Sequence, residues 1–189
     1  MIKMVNCKQI EKMTIKYGGQ WGISHVRRLL KLIDLISGNK DYDKEVIWIA
    51  THLHDWGAYP NWKIKEMDHA ARSKEIASEY LADKALSSKK LLLILECIEF
   101  HHSKFPNRCI ESILLSDADA LDFLGSIGLF RVFSKQTKDL RKAYNIIKQK
   151  IISCKEALQL EKSKEIAEDR ISRMNAILKQ FEKDSFGFF

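Results

Sequence analysis

Two prolines and eight glycines are all that punctuate these 189 residues. That scarcity excludes collagen-like and low-complexity chains and favours long unbroken elements. The longest purely aliphatic run, Leu91–Leu95, is far short of the ~20 apolar residues that span a bilayer. The opening stretch MIKMVNCKQIEK has no apolar core behind its early charge, so no secretory signal is expected. Cys7, Cys97, Cys109 and Cys154 are far apart and form no CxxC pair. Neither a zinc ribbon nor a disulfide framework is indicated, and free thiols suit a reducing cytoplasm. Histidine occurs six times but never after residue 102, so the last 87 residues have none.

The net charge of +7 allows attraction to phosphates or nucleic acid. The excess is thinly spread. Between Lys135 and Asp184 there are 13 basic and 8 acidic residues, interleaved as on a solvated helical face. No aromatic residues alternate with the basic ones, so a stacking platform for single strands is unsupported. Neither a nucleic acid nor a membrane is expected as partner.

What fills the chain is helical periodicity. Ile23, Val26, Leu29, Leu30, Ile33 and Ile36 recur at three- and four-residue spacing until Ser37-Gly38-Asn39 stops them. Asp43 is placed to cap a short helix through Val46, Ile47 and Ala50, and Asp68 another through Ala71, Ile76 and Leu81. Trp56 to Met67, with Gly57 and Pro60, reads as a loop. Ser87 or Ser88 starts a helix from Leu91 to about His102. Pro106 and Asn107 break the chain before a helix through Ile110, Ile113, Leu114 and Leu121. Two long helices follow, roughly Lys138–Cys154 and Lys162–Lys183. With no hairpin signal, internal repeat or flexible linker, the pattern predicts one all-α domain over 1–189.

The chemistry lies in polar residues that interrupt these apolar helices. His25 sits in an apolar stripe, and His54-Asp55 ends a helix of core character. His69 opens the next helix, and His101-His102 closes another. Asp117, Asp119 and Asp122 fall within LLSDADALDFL. Buried charge is costly unless paired or bound to a metal, so these residues are candidates for one shared cation. Imidazole with carboxylate suits Mn²⁺, Fe²⁺, Co²⁺, Ni²⁺ or Zn²⁺ better than Ca²⁺. Each piece alone has a plainer reading: a hydrogen-bonded core histidine, a helix end, an aspartate that caps or pairs with Arg131.

The order of the pieces is more specific. His25-Val26-Arg27-Arg28-Leu29, Ala50-Thr51-His52-Leu53-His54-Asp55 and Asp117-Ala118-Asp119-Ala120-Leu121-Asp122 together resemble the HD-domain superfamily of metal-dependent phosphohydrolases. Ile98-Glu99-Phe100-His101-His102 and Gly125-Ser126-Ile127-Gly128 look like its small stand-alone microbial members. The resemblance covers about residues 20–130 and implies an HD-type helical bundle, with packing helices over about 131–185. It implies a metal site of His25, His54, Asp55 and a later aspartate. Asp119 fits the phase of the superfamily's D-x-x-D segment, with Asp117 as its rival. Asp117 or Asp122 is then expected to orient a histidine from behind.

In two-metal members, a histidine after the HD pair and a later His-His serve a second ion. One divalent ion is the expectation here, with a second metal or Mg²⁺ as the other case. His69 and His101 become phosphate contacts or proton donors. His102, about 100° round the helix from His101, is expected to face away from the metal and is grouped with the substrate-binding positions. His52 is taken as structural or as support for a ligand. Asp55 would hold the metal and the attacking water, and Arg28 and Arg72 would offset charge on the phosphoryl group. A surface salt bridge is the plainer reading of both arginines.

Trp56, Tyr59 and Trp62 either stack a base or form a packed lid. The aromatic tail Ser185–Phe189 packs on the domain or on a second copy, as in a homodimer. The function implied is hydrolysis of a small phosphorylated compound, a nucleotide foremost. The competing readings are a nucleotide-sensing module without turnover and a helical nucleic-acid-associated protein.

Overall fold

Among residues 4–105 and 107–189, which the computed structural model describes, every regular element is helical. Pro106, expected to break the chain, lies outside the described residues, as do the first three. Eight α-helices follow in order: α1 Cys7–Ser37, α2 Lys44–Leu53, α3 His69–Leu81, α4 Ser88–Glu99, α5 Ile110–Phe123, α6 Ser126–Lys135, α7 Leu140–Ala157 and α8 Glu161–Asp184. None is long and apolar enough to cross a membrane.

The expected caps are in place. Asp43 accepts from the backbone N–H of Glu45 and Val46, Asp68 from Ala70 and Ala71, and Ser87 from Lys90. Each satisfies donors that a helix start leaves without partners. Two elements exceed the sequence expectation. α1 begins sixteen residues before Ile23, at Cys7, capped by Asn6. Its first half carries little apolar periodicity, and Gly19, at φ 62°, breaks the phase between the two halves. α6 is a separate helix where only a connection was expected, set off by Gly125 at φ 157°.

Helix α5 is the axis of the bundle. It packs against α1, α2, α4, α6, α7 and α8 and buries Leu114, Leu115, Ala118 and Leu121 completely. Each fully buried leucine contributes about 1.5–3 kcal/mol. Ile10, Leu29 and Ile33 of α1, Ile49 and Leu53 of α2, and Met174 and Leu178 of α8 join the same core. Position rather than propensity makes α5 important: its polar residues enter a helix with neighbours on every side.

The Trp56–Met67 segment is no base-stacking loop. Trp56–Ala58 forms one 3-10 turn, and Trp56 is fully buried, its indole N–H donating to Thr14 Oγ1. Trp62 stacks on Trp56 at 4.9 Å and lies against Tyr17. Tyr59 packs onto α1 at Gly22, where a Cβ would lie 2.7 Å from its hydroxyl oxygen. The aromatic tail is divided. Phe189 rests on Phe181 and Tyr144, while Phe186 and Phe188 are exposed.

Candidate metal centre

Two helix ends and two helix interiors build the site. His25 projects from α1, His54-Asp55 follows the last turn of α2, His101-His102 follows α4, and Asp119 comes from α5. The rings are fixed from behind. His25 Nδ1 donates to Asp122 Oδ2 at 2.8 Å, His54 Nδ1 to the Thr51 carbonyl at 2.8 Å, and His101 Nδ1 to the Ile98 carbonyl at 2.6 Å. A carbonyl can only accept, so His54 and His101 each hold a proton on Nδ1. In the neutral ring, Nε2 then presents a lone pair.

Those lone pairs converge. His25 Nε2 lies 3.3 Å from His54 Nε2, 3.2 Å from Asp119 Oδ1 and 3.8 Å from Asp55 Oδ2. His54 Nε2 is 3.6 Å from the same Asp55 oxygen. Two imidazole nitrogens and two carboxylate oxygens facing one point repel one another unless a positive charge lies between them, either a metal ion or, without one, the proton that Asp119 helps hold on His25. The donor set is that of a borderline divalent ion, so the residues fit the metal that the sequence motif implies. His25, His54, Asp55 and Asp119 are thus brought together.

A second convergence adjoins the first. His69 Nε2 lies 3.2 Å from His101 Nε2 and 2.9 Å from His102 Nε2. Asp55 Oδ1 is 3.7 Å from His69 and 3.9 Å from His101. One carboxylate thus offers Oδ2 to the first group and Oδ1 to the second. His102 does not face away. The helix has ended by Phe100, so the 100° rule no longer applies, and His102 Nδ1 reaches Asp119 Oδ2 at 3.1 Å. His69 and His101, expected to contact phosphate, and His102, expected to face away, form a group that could hold a cation of its own.

Electrostatics follow from this crowding. Burial by itself would lower the His25 pKa, but hydrogen bonds to Asp119 and Asp122 outweigh it and raise it to about 10. Burial pushes His54 below the usual imidazole range and His101 well below it. Burial alone would raise Asp55 and Asp119, yet the surrounding imidazoles hold Asp55 low and Asp119 well below the carboxylate range. Burial opposes His102 too, but Asp119 raises it.

The remaining expectations separate. Asp122 supports His25 as anticipated. Asp117 does not orient a histidine; its carboxylate accepts from the backbone N–H groups of Gln159 and Leu160. There it serves the start of α8, where no side chain supplies a cap. Arg28 gives Nε and Nη2 to Asp122 at 2.6 and 2.8 Å, and Arg72 bonds the Trp62 carbonyl and Glu75. Neither lines the cavity above the metal residues, because each guanidinium already has an anion or carbonyl to hold. His52 is structural, donating to the Trp48 carbonyl at 2.8 Å and stacking on that indole.

Sequence reading missed the cations that do line this cavity of about 560 Å³: Lys104, Arg131, Lys135 and Lys150. Arg131 and Lys135 stand i and i+4 on α6, a like-charge spacing that costs stability on a bare helix. That pair was the available signal, and it was lost with α6 itself.

Residues 22–124, more than half of the chain, match the family model for the HD domain. No curated protein matches the chain in sequence. Among solved structures, an HD-superfamily hydrolase from Bacillus thuringiensis is similar at TM-score 0.70 and 22% identity, over 94% of this chain and 95% of that one. YpgQ of Bacillus subtilis, in complex with ADP, is similar at 0.69 and 20%, over 94% of each. The predicted HD-superfamily hydrolase of an uncultured Thermotogales bacterium is similar at 0.66 and 23%, over 94% and 90%. At these identities the likeness speaks for the fold, and the family rests on the motif-bearing segment: the chain belongs to the HD domain family.

Proposed function

We propose that the chain is a metal-dependent phosphohydrolase acting on a small phosphorylated compound, with a nucleotide as substrate. One observation carries this reading. Two clusters of inward-facing imidazole nitrogens share the Asp55 carboxylate on the floor of a cavity whose wall bears four cations. The floor suits a divalent ion and the wall suits phosphate. A pure binding module has no use for the floor. ADP in the similar Bacillus subtilis structure and a cavity within the range of small-ligand sites support a nucleotide.

A divalent ion held there supplies a Lewis acid and an acidified water. The protein's own residues do the rest. Asp122 and the Thr51 carbonyl keep the His25 and His54 rings aimed with Nε2 inward. Asp55 sits between the two clusters, where it orients water toward phosphorus. Arg131, Lys135, Lys150 and Lys104 neutralise the phosphoryl oxygens as charge builds in the transition state. Where the second cluster holds no ion, His102 keeps a proton shared with Asp119 at 3.1 Å.

Metal analysis of the purified chain, followed by a phosphatase and pyrophosphatase panel with Mn²⁺, Mg²⁺, Co²⁺ and Ni²⁺, tests the reading. Activity should fall to background in His54→Ala and Asp55→Ala. Full turnover in either variant refutes it. The same metal analysis counts the ions: occupancy of both clusters gives two per chain, and His69→Ala should then reduce the count to one.

A further inference from the structure

The Arg28–Asp122 pair is a partition with a cavity on each side. Asp122 lines both, His25 lines only the metal cavity, and Arg28 lines only the other. This second cavity, of about 710 Å³, lies between α1, the start of α6 and α8. Its floor is apolar, from the buried Leu32 and Met174 to Leu35, Ile127 and Ile177, which are 54%, 43% and 41% exposed. Its rim is cationic, with Arg27, Arg28, Lys31, Arg170 and Arg173 against a single carboxylate, Asp122.

That carboxylate is already spoken for, since it accepts from both Arg28 and His25. Arg27 and Arg173 pair with Glu11 and Asp169 on the exposed side, where ion pairs contribute little. Arg170 donates to the carbonyls of Leu121 and Leu124, which orders its guanidinium, and among the described residues it makes no ion pair. Among the described residues Lys31 makes no ion pair. Helix α6 also begins here, at Gly125 and Ser126, with no side chain capping it. Its first N–H groups therefore add to the positive potential.

We propose that this second cavity binds a phosphorylated compound of nucleotide size that carries an apolar or aromatic group, independently of the metal cavity. The volume falls within the range of small-ligand sites. The apolar floor takes the organic part, and the rim takes the phosphate through guanidinium groups suited to its geometry. A second copy of the chain is a poor occupant. A two-fold contact would set one cationic rim against the other.

The test is calorimetric titration of the full chain in EDTA with ADP and with inorganic phosphate, so no turnover is needed. It therefore holds whether or not the chain proves to be a hydrolase. ADP should bind at two sites. Lys31→Glu with Arg173→Glu should weaken one at least roughly tenfold, and Arg131→Glu with Lys135→Glu should weaken the other. Inorganic phosphate, lacking the organic part, should bind the second cavity more weakly than ADP. Circular dichroism confirms the fold, and Lys31→Gln with Arg173→Gln gives a milder pair that should act in the same direction. ADP binding unchanged in both pairs of α1–α8 variants overturns the proposal. So does a dimer in sedimentation that Leu35→Asp dissolves, which would show a second copy seated on the floor.

Discussion

Asp122 holds the His25 ring through Nδ1 at 2.8 Å, and it is itself gripped by both Nε and Nη2 of Arg28. A carboxylate behind a ligating imidazole fixes its tautomer and raises its basicity. Asp122→Asn keeps the shape but removes the charge, and it allows the amide to face His25 with either end. Metal affinity should fall about 10- to 100-fold, as read by competition with a chelating dye. Arg28→Ala should have a smaller effect in the same direction, because Asp122 keeps its bond to His25. Unchanged affinity in Asp122→Asn would remove Asp122 from the support of the site.

The metal-free protein should be most stable in a window set by its own histidines. Burial keeps His54 and His101 below the ordinary value of 6.5. Below pH 6.5 the unfolded chain takes up protons that the folded chain refuses, so stability drops as acid is added, until the depressed folded values are reached. His25 behaves oppositely, with its pKa raised from 6.5 to about 10. Its contribution is complete below 6.5 and is lost as pH rises through about 10. Urea midpoints measured in EDTA across this range should trace a maximum between those limits. Stability that climbs steadily toward pH 10 would contradict the Asp119 and Asp122 contacts to His25. A divalent ion should flatten the alkaline side, because it takes the place of the proton.

Arg131 and Lys135 stand one turn apart on the wall of the metal cavity, where an anionic substrate would offset their mutual repulsion. Arg131 also lies over the Trp21 ring, at 4.5 Å from its centroid, which holds the guanidinium at the mouth. Removing either charge should lower kcat/KM by roughly two powers of ten, the low end of the range for a single electrostatic contact. The loss should grow with the number of substrate phosphates, and metal content should not change. A variant that loses metal along with activity would place Arg131 or Lys135 in support of the fold instead.

How far the site was legible depended on which neighbour each residue answers to. That His25, His54, Asp55 and Asp119 come together is legible because polar residues inside apolar periodicity have few ways to be buried, and their order resembles a known family. His102 was misjudged because a helical rule was applied one residue past the end of α4. Arg28 and Arg72 were assigned by proximity in sequence to histidines, yet their partners, Asp122 and the Trp62 carbonyl, come from other elements. The basic wall depends on how α6 and α7 pack against α5, a tertiary fact with weak local signal. The all-α bundle itself was visible in the caps and apolar stripes, whereas Gly19 hid the first half of α1.

Asp117 and Asp119 test that distinction directly, because they lie two residues apart on α5 and serve opposite faces. Asp119 points its oxygens at His25 and His102, at 3.2 and 3.1 Å. Asp117 is fully buried and accepts from the N–H groups of Gln159 and Leu160 at 3.0 and 2.9 Å. Burial raises its pKa even against those bonds, so an uncharged acceptor at this position should be tolerated better than none. Asp117→Ala leaves the start of α8 with half-buried donors unpaired and should cost about 1–3 kcal/mol of stability, with metal content intact. Asp117→Asn should recover part of that. Asp119→Ala should keep the fold and lose the metal. Urea midpoints and metal content of the three variants separate the roles: metal loss from Asp117→Ala with full retention in Asp119→Ala would exchange them.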